Sequence, residues 1–411
     1  MPINSPLVLA AKQNAPFTIT GFRLALKPLA LAGPVLVVAF VLGLLVISRI
    51  QSYHDNPAGF IAFGKQGVQY THPPRGAPLD SPFGYDGQFY WIQANDPLLL
   101  KRSTIADMRG PGAGYHFQRP AYPALAFLLA LGQRDLLPWT MLAVNILAVL
   151  GITLAFAIYC RRQGWSSWWA LAVGLTPGLL MPSLRDLTDP LAIAAMLGGV
   201  LAWQADRRWW AAGLLTTAVL SRESMIAAVV AIGVAACVGC WRARHQRGAV
   251  RRIVAQTWPA IVVPAAAFLA WQAYIRFQVP TVPGSATAGT TAPPGGWSLT
   301  AFVDQIRQFL HGVSGTLGSW DVVYLALTLA AMVVAIVLAR RGSAAGVAAL
   351  LFAATLTVIS FGDQWGITRY SAPLFAMLLL GGLEQRSRVA VGLCVAASAT
   401  SIFLPWVITG L

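Results

Sequence analysis

Charged side chains are scarce in this chain of 411 residues: Asp, Glu, Lys and Arg make up 10%, against about a quarter in soluble globular domains. That scarcity argues against a water-soluble fold. With 57% hydrophobic residues, the chain reads as an all-α polytopic membrane protein. Acidic residues are scarcer still, 14 against 29 basic ones. The net charge of +15 does not point to nucleic acid, because the basic residues fall in short clusters between apolar runs, as they do in cytoplasmic loops. Only four cysteines occur, Cys160, Cys237, Cys240 and Cys394. All lie in or beside apolar runs, so a disulfide framework has no support, and the lone C-x-x-C of Cys237 and Cys240 reads as small helix residues. No H-x-x-H, H-E-x-x-H, Walker loop or G-x-S-x-G is present, which leaves zinc-hydrolase, ATPase and serine-hydrolase readings without their residues. The sequence requires no cofactor, and a divalent metal is unsupported. No fixed-period repeat or heptad array is present.

What the chain does have is long apolar runs, and a length ruler sorts them. About 20 apolar residues are needed to cross a hydrocarbon core about 30 Å thick. The first run, residues 28 to 50, is too long for a secretory h-region and no A-x-A-like site follows it, so it is expected to stay as an anchor. Residues 165–203 would measure roughly 60 Å as one helix. They carry Arg185, Asp186 and Asp189 near the middle, each costing about 2.5 to 3.5 kcal/mol at the bilayer centre. The spacing therefore predicts a hairpin with "SLRDLTDP" at its tip. Residues 208–240 repeat the pattern around "SRES". By contrast, "RPAYPALAFLLALG" (119–132) offers roughly 18 Å of helix and is expected to lie at the membrane surface.

This division predicts about eleven transmembrane helices, with an internal N-terminus and an external C-terminus. The internal segments then hold Lys12, Arg23, Lys27, the pairs Arg161/Arg162, Arg207/Arg208, Arg340/Arg341 and Arg386/Arg388, and the cluster Arg242, Arg244, Arg247, Arg251 and Arg252, as the positive-inside rule asks. Only Asp206 and Glu384 of the 14 acidic residues fall inside. Carboxylates contribute little to orientation, so their external excess points to chemistry on that face. The expected organisation is one transmembrane domain over 1–411 with two external segments, 51–137 and 276–320, the first ordered and the second lid-like.

Four external stretches carry candidate residues: "GYDGQFYWIQANDP" (84–97), "GYHFQRPAYP" (114–123), "SLRDLTDP" with "SRES", and "DQWGITRY" (363–370). Asp86 stands between Tyr85 and Gly87, and Gly87 permits close backbone approach. Asp86 suits a general base; it is equally a favoured N-cap for a helix starting near Gln88. Asp96 before Pro97 reads as a turn or cap. Arg185, Asp186 and Asp189 fit either helix capping with an ion pair or a substrate path, and Arg222 and Glu223 face the same choice. Arg119, Arg222 and Arg369 offer planar forks matched to phosphate oxygens, or else snorkel at the interface. His116 reads as a loop hydrogen-bonder or, alternatively, as a ligand or catalytic group.

In order, "YDG" followed by "FYWIQANDP", then "RPAYP", "LRDLTDP" and "LSRES" resemble the GT-C superfamily of membrane glycosyltransferases. The likeness is nearest to bacterial and PIG-V-like relatives with a (W/Y)DG element in the first external loop. The resemblance implies that Asp86 is the catalytic base and that the donor is a polyprenyl-phosphate sugar taken from the membrane. With Asp86 as base, the residues expected to contact substrate are Tyr85, Gly87, His116, Arg119, Arg185, Asp186, Asp189, Arg222, Glu223 and Arg369, the last of them outside the stretch that carries the resemblance. The expected acceptor is a hydroxyl of a glycan, lipid or protein, on the external face of a bacterial inner membrane. The rival expectation is a lipid or solute transporter, which usually shows repeated halves and midplane charges.

Overall fold

The computed structural model describes residues 28–107, 117–278, 315–357 and 364–403, with positions 303, 306, 307 and 310 between them. Among these the fold is all-α, and the isolated β-bridge between Phe63 and Leu79 belongs to no strand.

The N-terminal part holds α1 (Pro28–Ser52), α2 (Gly87–Ala94), α3 (Ala121–Leu129), α4 (Leu137–Arg162) and α5 (Pro177–Ser183). Next come α6 (Asp189–Gln204), α7 (Arg208–Ser221), α8 (Ile226–Arg242) and α9 (Arg247–Gln278). The chain continues with α10 (Gly315–Arg340), α11 (Ala344–Leu356), α12 (Gln364–Glu384) and α13 (Arg388–Ala399). α1, α4, α8, α9 and α10 are long and apolar enough to cross a membrane. The nine residues of α3 amount to about 14 Å, well short of a crossing. α6 and α7 form a tight antiparallel pair; a Cβ on Gly199 would fall 2.7 Å from Leu215 Cγ, so only glycine lets the two helices approach this closely.

The first limb of the hairpin around residue 185 departs from the single helix drawn from sequence. It runs as a 3-10 turn at Ser167–Ala170, one helical turn at Leu171–Gly174, and then α5. Pro177 cannot donate a backbone hydrogen bond and forces the residue before it out of the helical region; Thr176 accordingly sits at φ −64, ψ 134. The break strands carbonyls in an apolar setting. Ser398 Oγ donates to Ala172 O at 2.6 Å, and Ser401 Oγ donates to Leu175 O. Hydroxyls on α13 and on the 3-10 turn after it, Thr400–Phe403, thus satisfy backbone groups that the break releases.

One end of the bundle carries a cap. Residues 53–107 and α3 enclose a core of their own, with Phe63, Tyr90, Trp91, Phe117 and Tyr122 buried against Leu137 and Met141 of α4 and Leu187 of the hairpin tip. The other end gathers Gln204, Ser343 and Glu384: Gln204 Nε2 and Ser343 Oγ each donate to Glu384 at 2.6 Å. Asp189 and Gln204 are fifteen positions apart, as are Arg369 and Glu384. α6 and α12 therefore run in the same direction and in register, holding the two ends about 22 Å apart.

Candidate functional site

The capped end brings together Asp86, Asp189, Arg222 and Arg369. Arg369 is the bridge: its Nη1 donates to Asp86 Oδ2 at 2.8 Å and its Nε to Asp189 Oδ2 at 2.8 Å. Arg222 Nη1 pairs with the other oxygen of Asp189. Asp189, Arg222 and Arg369 are buried, whereas the Asp86 side chain retains 27% of its exposure. Beside them Arg119 makes a forked contact to Glu223, Nε to Oε2 at 2.9 Å and Nη2 to Oε1 at 2.7 Å, while its Nη1 donates to Tyr90 Oη at 2.7 Å. The two groups adjoin through the neighbouring residues Arg222 and Glu223. Three arginines face three carboxylates.

Local sequence explains each position. Gly84 takes φ +69, a conformation that favours glycine. Tyr85 N–H donates to Ala62 O at 2.9 Å, and buried Gln88 donates to Phe83 O and accepts from Gly64 N–H. A Cβ on Gly87 would lie 2.6 Å from Ile61 O and 2.7 Å from Arg185 O. The "YDG" glycine therefore lets the loop press on its own base and on the hairpin tip. Asp86 stands at the start of α2, but its carboxylate makes no capping bond; it turns to Arg369 instead. Asp96 does bind backbone, accepting from Leu100 and Lys101 N–H. At the "SRES" turn Arg222 is extended, φ −158, ψ 122, which ends α7. Arg369 reaches the site because α12 packs closely on α5: a Cβ on Gly178 would fall 2.3 Å from Thr368 O.

Other residues expected at the site have partners of their own. Arg185 is ion-paired with Asp80 and stands over the Tyr85 ring, 5.7 Å from its centroid. Asp186 is fully buried, with φ 48, and lies 3.4 Å from Tyr122 Oη. Burial pushes its carboxyl well above the usual carboxylate range, the Tyr122 contact opposing. His116 lies outside the described residues. Sequence reasoning missed Tyr370, whose ring lies 4.7 Å from the Arg222 guanidinium and 5.8 Å from that of Arg369. It also missed Tyr90 and Asp80. Tyr370 directly follows Arg369 and Tyr90 is four positions beyond Asp86, but neither carries a signal apart from its neighbours.

No protein-family model, curated protein or solved structure matches the chain.

The Arg369 fork is open at one N–H. Its Nη2 is buried and finds no hydrogen-bond partner among the described residues. A buried guanidinium N–H without an acceptor costs about 1 to 3 kcal/mol or more, and an anionic oxygen at that point would relieve it. Among the described residues no three of His, Cys, Asp and Glu gather as metal ligands.

Proposed function

We infer that the protein is a membrane glycosyltransferase that moves a sugar from a polyprenyl-phosphate donor to a hydroxyl acceptor at the capped end. The reading includes about eleven crossings, the basic end internal and the capped end external. What supports it is one observation: a partly exposed carboxylate, Asp86, shares Arg369 with a buried carboxylate, Asp189, while a further N–H of the same guanidinium lacks an acceptor among the described residues.

In this reading the acceptor oxygen attacks the anomeric carbon of the donor and its proton passes to Asp86. The bond from that carbon to the phosphate oxygen breaks, its electron pair leaves with the phosphate, and the anomeric centre inverts. Arg369 Nη2 meets the leaving phosphate. As Asp86 gains its proton it loses hold of Arg369, and the guanidinium follows the negative charge to the phosphate. Arg222 and Asp189 keep Arg369 in line. Arg119 and Glu223, saturated by one another and by Tyr90, brace the cap, and Arg185 with Asp80 fixes Tyr85 and Gly87.

Membranes holding the protein are incubated with radiolabelled polyprenyl-phosphate sugars and product is followed. Asp86→Asn is expected to lower transfer by about 10² to 10⁴ with the protein still folded. Near-normal transfer by that variant removes Asp86 as base, and label that crosses the bilayer without a new glycosidic bond favours a transporter.

A further inference from the structure

The end opposite the ion-pair network holds charge that sugar transfer does not use. Arg244, in the turn after α8, and Arg247 and Arg251, on the first turns of α9, line a groove of about 530 Å³ with Val250, Val254 and Trp258. Positions 247, 250, 251, 254 and 258 follow helical spacing, so they share one face of α9. The arginines occupy its beginning; Val254 and Trp258, 52% and 43% exposed, continue it along the helix. Among the described residues no carboxylate pairs with Arg244, Arg247 or Arg251. Arg244 instead lies over the Trp241 ring at 5.1 Å. Asp206, in the nearby turn between α6 and α7, accepts from Gln256.

The 32 residues of α9 reach about 48 Å, beyond the roughly 30 Å of hydrocarbon, which leaves turns to stand among lipid headgroups. Trp241 stands at the end of α8 and Trp209 at the start of α7, and tryptophan favours the headgroup layer; Trp209 packs edge-on against Trp258 at 5.7 Å.

We propose that this groove binds the headgroup of an anionic membrane phospholipid. Its phosphate oxygens meet the three guanidiniums, and its acyl chains lie along Val254 and Trp258. A soluble anion would gain nothing from that apolar floor, and a zwitterionic lipid brings a cation of its own into the arginine cluster.

The test is native mass spectrometry of the full chain in detergent with an equimolar mixture of phosphatidylglycerol and phosphatidylcholine of identical chains. The wild type is expected to retain phosphatidylglycerol in clear excess. In Arg247→Gln/Arg251→Gln that preference falls about fivefold per arginine, whereas Arg340→Gln/Arg341→Gln, which removes equal charge at the same end, keeps it. Equal retention of both lipids by the wild type overturns the proposal, as does an equal fall in both double variants. Inorganic phosphate that displaces the lipid at matching concentration overturns the lipid assignment. Independently of any variant's folding, wild-type protein in lipid nanodiscs should show slower hydrogen exchange over residues 244–251 with phosphatidylglycerol than with phosphatidylcholine. Identical exchange in the two lipids also overturns the proposal.

Discussion

The two ends of the helix bundle treat charge in opposite ways. At the capped end, Asp86, Asp189, Glu223, Arg119, Arg222 and Arg369 are ion-paired, several of them fully buried. At the other end, Arg242, Arg244, Arg247, Arg251, Arg252, Arg340, Arg341, Arg386 and Arg388 are exposed. Solvated arginines cost little to keep, because their charge stays in water. A buried ion pair recovers its desolvation cost only with good geometry and is often no more stable than an apolar replacement. The capped network therefore has to be explained by what it does, and the basic end by where it lies.

The widest separation between the ends is expected from Arg369. Arg369→Gln removes the cation shared by Asp86 and Asp189, leaving Asp189 with only Arg222. Breaking a buried pair by removing one partner costs about 3 to 5 kcal/mol, and thermal unfolding of the purified protein should show it. Gly87→Ala comes next, because the new Cβ collides with two backbone carbonyls; overpacking of this kind costs about 1 to 3 kcal/mol, with transfer activity falling alongside stability as Asp86 is displaced. A smaller effect of opposite sign is expected for Asp186→Asn. The folded carboxyl has a raised pKa, so the stability it contributes is complete below the unfolded value, near 3.9, and is lost as pH rises through the folded one. Asparagine does not titrate and also tolerates positive φ. Its melting temperature should therefore gain on that of the wild type as pH is raised, and a difference that stays flat with pH would show that Asp186 is ionised in the fold. Smallest of all, Arg340→Gln/Arg341→Gln should leave stability within about 0.5 kcal/mol. A large loss there would erase the contrast between the ends.

Much of the capped end is legible in the sequence because charge is conspicuous in a chain this apolar. "YDG", "LRDLTDP", "SRES" and "TRY" each interrupt or border a hydrophobic run, and the expense of charge in lipid sends them to helix ends. The pairing among them is not legible. Arg369 meets Asp86 across 283 positions, and nothing local distinguishes it from Arg119, whose fork Glu223 occupies 104 positions away. Local pattern likewise leaves Asp86 suspended between cap and base, and its turn toward Arg369 depends on the packing of α12 on α5. The ruler separates α3 from the long helices because it measures length, but it passes over the break at Thr176, where a proline overrides an apolar run. The expected lid at 276–320 falls largely outside the described residues.

The interruption before Pro177 also bears on the order of biosynthesis. Ala172 and Leu175 leave the ribosome 226 positions ahead of the serines that receive their carbonyls. Until those hydroxyls arrive, the nascent hairpin needs water, lipid headgroups or an insertion factor at that spot. Truncation before residue 388 should then do its damage not at the chain terminus but near the middle of the polypeptide, as a newly protease-sensitive site around residue 175.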